Sequence, residues 1–160
     1  MPKPAYQFLA SACLCGLACR YDGNSNATPE VVRLYACGLA LPVCPEEAGG
    51  LPTPRVPCER RGQQVITQTG QDVTEAFAAG AAHALALARQ YGLRVAILKE
   101  SSPSCGPTTI YDGSFSGTKI PGMGLTASLL QANGLLLYNE KNLPSDLFQK
   151  KILDDLPRLG

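Results

Sequence analysis

Cysteines are the residues of this sequence best suited to chemistry, and the chain contains seven of them, at positions 13, 15, 19, 37, 44, 58 and 105. The number is odd, and the chain is longer than the small secreted scaffolds in which dense cysteines form disulfides. Such cysteines in a reducing compartment more often serve metal binding or catalysis. The single histidine, His83, falls in an alanine-rich segment, so we expect neither Ser-His-Asp catalysis nor a histidine-based zinc site.

Cys105 lies in an unusual turn within the stretch Leu98–Gly106, which begins at the end of a run of apolar residues. Pro103 fixes its own φ and disfavours helix at Ser102. Gly106 allows another backbone segment to approach closely. A turn of this kind presents a side chain, whereas a cysteine that only fills space sits inside a regular element. We therefore expect Cys105 to be a ligand or a nucleophile.

Hydrophobic patterning predicts the elements that position these cysteines. The predicted strands cover about residues 6–12, 39–43, 95–98 and 135–138, and the predicted helices cover 29–36, 74–91, 125–133 and 144–153. Thr28 and Thr74 are predicted N-caps. A hairpin is predicted from 64–67 to 71–73, with its turn at Gly70, and 106–122 is predicted to be irregular.

Strands that alternate with helices indicate an α/β protein. We expect a Rossmann-like three-layer fold with a mostly parallel sheet and helices on both faces. The length of 160 residues fits a single domain spanning 1–160. The segment 49–57, rich in glycine and proline, is long for a connection and is therefore expected to be functional.

Cys13, Cys44 and Cys105 each follow the carboxyl end of a predicted strand. Sites of open α/β sheets assemble at that edge, so the three thiols are expected to converge. Soft thiolates select zinc, copper(I) or iron–sulfur clusters. Structural zinc takes four protein ligands, whereas a 4Fe–4S cluster held by three cysteines keeps one iron open to a substrate. Cys15 and Cys19 share the first loop and compete as ligands.

Composition narrows the classes of partner. The formal net charge is +1, the pI is about 7.5, and no basic stripe favours nucleic acid. No apolar run is long enough for a membrane helix, and the N-terminal residues lack the apolar core of a signal peptide. A cytoplasmic protein with a small-molecule partner, without nucleic acid or membrane, is therefore expected, and its oligomeric state is left open.

Several motifs occur together and in order along the chain. They are Ser11-Ala-Cys-Leu14, Cys19-Arg-Tyr-Asp-Gly23, Cys44-Pro-Glu46, Gly49-Gly-Leu-Pro-Thr-Pro-Arg55, Leu98-Lys-Glu100, Ser102-Pro-Ser-Cys-Gly106 and Ile110-Tyr-Asp-Gly-Ser-Phe-Ser-Gly117. This set resembles the thiouracil desulfidases, a family of short bacterial proteins, from about Ser11 to Gly134. Two positions depart from the pattern: Ser101 replaces an expected arginine, and Cys15 replaces an aliphatic residue. The first departure bears on which thiolated substrate is accepted.

The resemblance implies an oxygen-sensitive 4Fe–4S enzyme that removes sulfur from bases such as 2-thiouracil without net redox change. Its cluster ligands fall on Cys13, Cys44 and Cys105, with one iron open to the substrate sulfur, and its catalytic carboxylate and hydroxyl fall on Glu46 and Ser102. The expected reaction is hydrolytic, C=S becoming C=O with release of sulfide, and Glu46 acts as the general base or proton shuttle.

Three alternatives differ from this interpretation. Sulfur transfer or tRNA thiolation on the same cluster normally needs an ATP site, but the chain has no Gly-x4-Gly-Lys loop. A structural metal-binding domain predicts a colourless protein with four ligands. A nucleophilic Cys105 lacks a partner histidine to activate it.

Overall fold

The computed structural model describes residues 6–144. The predicted C-terminal helix at 144–153 lies outside the described residues, apart from its first residue. Within the described range the strands are β1 (Phe8–Ser11), β2 (Ala40–Val43), β3 (Cys58–Arg61), β4 (Gln64–Thr67), β5 (Val95–Leu98), β6 (Thr109–Tyr111), β7 (Lys119–Pro121) and β8 (Leu136–Asn139). The α-helices are α1 (Pro29–Ala36), α2 (Pro45–Ala48), α3 (Thr74–Gln90) and α4 (Leu125–Ala132), and one 3-10 turn covers Ala12–Cys15.

A parallel four-stranded sheet in the order β2-β1-β5-β8 forms the centre of the molecule. β1 lies between β2 and β5, so the chain moves to one side of β1 first and to the other side later. In an open parallel sheet such a reversal opens a crevice at the carboxyl ends of the strands. The last residues of β1 and β2, Ser11 and Val43, are paired in register, so the loops that follow them start side by side.

The two faces of the sheet carry separate cores, because successive strand residues point to opposite sides. Leu9, Ala96 and Leu98 pack on one face with buried residues of α3 and α4. Phe8 and Ile97 pack on the other face with buried residues of α1. Helices therefore cover both faces, and the α/β fold class expected from the sequence is confirmed.

The short helix α2 packs directly on α3, at a point where α3 has a glycine. A β-carbon on Gly80 would lie only 1.8 Å from the backbone oxygen of Pro45, so no larger residue fits without displacing backbone. This close approach fixes the turn that carries Cys44 and Glu46. α2 was not predicted from the sequence, since four residues are too short to show helical periodicity.

The hairpin predicted around Gly70 is present in a short form. Residues 64–67 and 71–73 are antiparallel neighbours, with an isolated bridge between Ile66 and Asp72 and backbone hydrogen bonds from Thr67 to Gln71 at 2.8 Å and from Val73 to Val65 at 2.9 Å. The regular strand partner of β4 is β3, which was not predicted and which pairs with β4 in antiparallel register around a turn at Gly62. The segment expected to be irregular also contains regular structure, because β6 pairs with β7.

The other boundaries differ from the predicted ones by two residues at most, and α1 and β5 have the predicted bounds. The two predicted caps differ in detail. Thr28 occupies the N-cap position of α1, but its hydroxyl donates to the carbonyl of Asn26 and does not cap the helix. Thr74 is the first residue of α3, and its hydroxyl accepts a hydrogen bond from the Val65 amide. Within residues 6–144, none of the helices has the length and hydropathy required to cross a bilayer.

Candidate active site

A cavity of about 400 Å³ lies at the carboxyl ends of β1, β2 and β5. All five residues singled out from the sequence line it: Cys13, Cys44, Cys105, Glu46 and Ser102. Further lining residues that bear on the chemistry are Cys19, Arg55, Cys58, Glu59, Lys99, Glu100 and Tyr111.

Cys13 reaches the cavity from the 3-10 turn that directly follows β1. Its carbonyl accepts hydrogen bonds from the amides of Gly16 and Asn26, at 3.2 and 2.9 Å, so the turn and the next loop are tied together. A hydrogen bond with the Cys19 thiol lowers the pKa of Cys13 to about 7, against the opposing effect of burial. A pKa near neutrality favours the thiolate, which is the form that binds metals.

Cys19 lies between the other two cysteines of this wall. Hydrogen bonds with Cys13 and Cys44 raise the pKa of Cys19, so this thiol keeps its proton, and the same contact lowers the pKa of Cys44. As a thiol, Cys44 also donates to the carbonyl oxygen of Cys19 at 3.8 Å. Cys19 therefore lies within hydrogen-bond reach of the sulfurs of both Cys13 and Cys44.

Cys105 is buried, and burial raises the pKa of its thiol. It is therefore not activated as a free nucleophile, although binding to a metal would deprotonate it. Its backbone amide donates to the Oγ of Ser102 at 3.0 Å, and Gly106 lets the turn close. A β-carbon on Gly106 would lie 2.5 Å from the Thr109 carbonyl oxygen, so a larger residue would open the turn that carries Cys105.

The hydroxyl of Ser102 has one hydrogen-bonding capacity that the turn does not use, which is its O–H donor. Its oxygen accepts from the amides of Ser104, at 3.1 Å, and of Cys105. A hydroxyl oxygen has two lone pairs, so both acceptor positions are used. The remaining O–H can only donate, and Ser102 lines the cavity. Ser102 thus serves the turn and still offers the cavity one hydrogen-bond donor.

Glu46 lies in the first turn of α2, two residues after Cys44. Its Oε1 accepts a hydrogen bond from Arg55 Nε at 3.3 Å, and the two side chains are 18% and 5% exposed. Among the described residues, nothing donates a hydrogen bond to its Oε2. Glu46 therefore presents a carboxylate that is fixed at one oxygen and open at the other.

Glu100 is a second cavity carboxylate with a different environment. Its two oxygens accept hydrogen bonds from the amides and hydroxyls of Thr108 and Thr109, from the Asn139 amide group and from the Ser101 amide. Burial raises the pKa of Glu100, but these hydrogen bonds outweigh it and the pKa falls to about 2. A carboxylate so fully engaged holds the Cys105 turn to β6 and β8 and has little capacity to exchange a proton.

The remaining cysteines differ in whether they line the cavity. Cys15 is buried in the core between the sheet and α1 and does not line the cavity. Cys37 is exposed and does not line the cavity either. Cys58 does line it, on the first residue of β3, and burial raises its pKa to about 11. Cys58 could not be found from the sequence, because the Cys-Glu-Arg-Arg run of β3 has no strand pattern. Cys19 could be identified from the sequence as a cysteine of the first loop, but its position between Cys13 and Cys44 depends on the 3-10 turn.

No three His, Cys, Asp or Glu side chains of the described residues are arranged as ligands of one single metal ion. A 4Fe–4S cluster takes its thiolates on different irons, and so it needs thiols around a cavity and not around a point. The soft, partly acidified donors of Cys13 and Cys44, with Cys105 in the turn that follows β5, fit that requirement. They fit a hard cation poorly.

The chain is similar to known proteins over most of its length. The model of the 2-thiouracil desulfurase family matches residues 8–142. An uncharacterized protein of Bacillus subtilis (strain 168), YbbK, is 42% identical, over 84% of this chain and 96% of its own. The solved structure of the 4Fe-4S-dependent thiouracil desulfidase TudS is 48% identical, with a TM-score of 0.84, and covers 87% of this chain and 93% of its own. The chain therefore belongs to the 2-thiouracil desulfurase family of enzymes.

Proposed function

We propose that this chain is a 4Fe–4S-dependent desulfidase that converts the thiocarbonyl of a thiolated nucleobase such as 2-thiouracil into a carbonyl. The reaction consumes one water and releases one hydrogen sulfide. The carbon exchanges its double bond to sulfur for a double bond to the oxygen of water, so that no electrons are exchanged. The observation that carries the proposal is the shared cavity of Cys13, Cys44, Cys105, Glu46 and Ser102, in a chain of the 2-thiouracil desulfurase family.

Cys13, Cys44 and Cys105 would hold the cluster, since they follow three neighbouring strands and line one cavity. When bound, such a cluster supplies a Lewis-acidic iron without a protein ligand, to which a substrate sulfur can bind. Cys19 lines the same cavity from the loop that carries Cys13, and we leave it outside this ligand set because it lies farther from the end of β1. Its single S–H would donate a hydrogen bond to the sulfur of Cys13 or to that of Cys44.

Glu46 is the proton acceptor of the proposed reaction. Water becomes a better nucleophile when a carboxylate takes its proton during attack on the thiocarbonyl carbon. Glu46 Oε2 is an open carboxylate oxygen two residues from Cys44, whereas both oxygens of Glu100 are occupied by hydrogen bonds. The proton taken from water then becomes available to the departing sulfide.

Ser102 is the donor of the proposed reaction. Its two lone pairs accept backbone amides, so its O–H would be free to donate to an acceptor atom of a base bound in the cavity. A heteroatom of the base that gains negative charge during water addition is such an acceptor. Donors fixed where charge develops stabilise the transition state without reorganisation.

The test is reconstitution of the chain under anaerobic conditions with iron and sulfide, followed by iron counting, an absorbance spectrum and an assay of sulfide released from 2-thiouracil. We expect about four irons, a broad band at about 400 nm and sulfide release. Cys105→Ala should lose both the band and the activity. Cys19→Ala should retain most of the iron, and Cys37→Ala, on an exposed cysteine outside the cavity, serves as the matched control.

A colourless or zinc-bearing wild-type protein would contradict the cluster, and a brown protein that releases no sulfide from 2-thiouracil would contradict the reaction. If Cys19→Ala loses its iron and Cys105→Ala retains it, then Cys19 and not Cys105 belongs to the ligand set.

A further inference from the structure

Arg55 connects the two loops that carry the cysteines and Glu46. Its Nη2 donates to the carbonyl oxygen of Cys19 at 2.8 Å, while its Nε donates to Glu46 Oε1. Its backbone amide donates to the carbonyl of Tyr21 at 2.7 Å. The loop after β1 and the turn after β2 are therefore held by one side chain that is itself 5% exposed.

The remaining donors of Arg55 are also largely used within the protein. Nη1 donates to the carbonyl of Pro52 at 3.1 Å and to Thr53 Oγ1 at 2.9 Å. A guanidinium has five N–H groups, and these side-chain contacts occupy four of them. An arginine that recognises a substrate keeps a pair of donors open, so this arrangement is that of a fixed part of the wall.

The planar fork of a guanidinium also sets direction, which a lysine cannot do. The hydrogen bonds of Nη1 to Thr53 and Pro52, and of Nη2 to Cys19, fix the plane of the guanidinium. The direction of the Nε–H bond follows from that plane, and it sets the position of Glu46 Oε1. The second oxygen of Glu46 is then held on the side left open, in the cavity that the thiols share.

We infer that Arg55 is the positioning residue of this site, which aims the Glu46 carboxylate relative to the cysteine loops through its fork between Glu46 and the Cys19 carbonyl. The inference rests on the proposed function, in which Glu46 accepts the proton of the attacking water. Arg55 itself touches neither substrate nor cluster in this assignment.

The test combines kinetics with structure on the anaerobically reconstituted enzyme. Arg55→Lys keeps the charge and loses the fork, and it should lower kcat for sulfide release from 2-thiouracil about 10- to 100-fold, with KM changed less than about threefold, since a small misplacement of a reacting group costs about that much. Iron content should match that of wild type. Arg94→Lys is the matched control, because Arg94 is exposed and does not line the cavity.

A double-mutant cycle separates positioning of Glu46 from general support of the loop. In the Glu46→Gln background, Arg55→Lys should change kcat by less than about twofold, because the carboxylate that it aims is gone. An equal loss of kcat in both backgrounds overturns the inference. A raised KM with kcat retained also overturns it, because Arg55 would then bind substrate.

A crystal structure of Arg55→Lys supplies a readout that does not depend on activity. We expect the Glu46 carboxylate to turn away from its wild-type direction, while Cys44 keeps its place. An unchanged Glu46 overturns the inference, even if wild type fails to release sulfide from 2-thiouracil and the proposed function is thereby lost. If Arg55→Lys does not fold, Thr53→Val, which removes one acceptor of the fork, should give a smaller loss of kcat and a smaller rotation of Glu46 in the same sense.

Discussion

Glu46 and Glu100 show how two carboxylates of one cavity acquire different roles from their neighbours. Glu100 accepts hydrogen bonds at both oxygens, which holds its pKa at about 2 and keeps it ionised. Glu46 has one oxygen bound to Arg55 and one without a donor among the described residues. Proton transfer needs a free lone pair within reach of water, so of these two carboxylates Glu46 is the better suited to the proposed proton transfer.

Ser102 can be tested at the same scale, by separating its turn function from its O–H. Ser102→Ala removes both, and we expect kcat per bound iron to fall about 10- to 100-fold. Ser102→Thr keeps the hydroxyl and the two amide contacts, so kcat per iron should stay within about threefold of wild type. The measurement is sulfide release from 2-thiouracil, normalised to iron content. A wild-type kcat per iron in Ser102→Ala would leave Ser102 as a turn residue only.

At the scale of elements, sequence patterning predicts those whose own residues determine them. α1 begins at Pro29, a residue suited to the first helical position, and ends near Gly38, and both bounds are as predicted. β5 is a continuous apolar run, as a strand buried on both faces should be. Local sequence is sufficient in both cases.

β3 could not be predicted in the same way, because contacts distant in sequence hold it. Glu59 accepts from the amides of Gly113 and Phe115, at 3.0 and 3.1 Å, and Arg61 donates to the Gly113 carbonyl at 2.6 Å. Its polar residues have low strand propensity, and tertiary context overrides propensity in such segments. The place of Cys58 in the cavity depends on β3, so it was missed together with the strand.

The packing of α2 on α3 leads to a prediction about how the elements hold the site. Gly80→Ala would place a β-carbon 1.8 Å from the Pro45 carbonyl oxygen, which forces the two backbones apart. Overpacking costs about 1–3 kcal/mol, and a backbone clash belongs at the upper end of that range. We expect unfolding in urea to show a loss of about 3 kcal/mol.

Iron content provides the second readout for Gly80→Ala, because Cys44 and Glu46 flank Pro45 and should move with it. Ala82→Ser, on an exposed position of the same helix, is the control and should lower stability by only about 0.5 kcal/mol and leave the iron content unchanged. Full iron content in Gly80→Ala would show that the α2–α3 contact does not set the position of Cys44.

At the scale of the whole molecule, the site arises from strand order and not from spacing along the chain. Cys13, Cys44 and Cys105 follow β1, β2 and β5, which are neighbours in the sheet although 31 and 61 residues separate the thiols in turn. Their approach could be predicted because parallel strands end at one edge. The contribution of Arg55, Cys58 and Tyr111 to the cavity could not, since these residues lie in loops and small hairpins whose direction no pattern in the sequence gives.

Hydrogen bonds of Glu100 connect the central sheet to the elements around it, and they make the stability of the fold depend on pH. Its carboxylate binds the Thr108–Thr109 amides at the start of β6 and Asn139 at the end of β8, so it ties the central sheet to the smaller hairpin. The pKa is about 2 in the folded chain against 4.5 for an ordinary glutamate. A depressed folded-state pKa stabilises the fold above the unfolded pKa, and the contribution is lost as the pH falls from about 4.5 towards 2.

Comparison with Glu100→Gln isolates this contribution, because the other carboxylates titrate equally in both chains. At about 1.4 kcal/mol per pKa unit, the difference in stability between wild type and the variant should shift by about 2 kcal/mol against wild type as the pH falls from 7 to 3. Urea unfolding of both chains, prepared identically and measured from pH 7 to pH 3, gives this difference. A difference that does not change with pH would mean that hydrogen-bond geometry, and not the charge of Glu100, holds the sheet to the turn of Cys105.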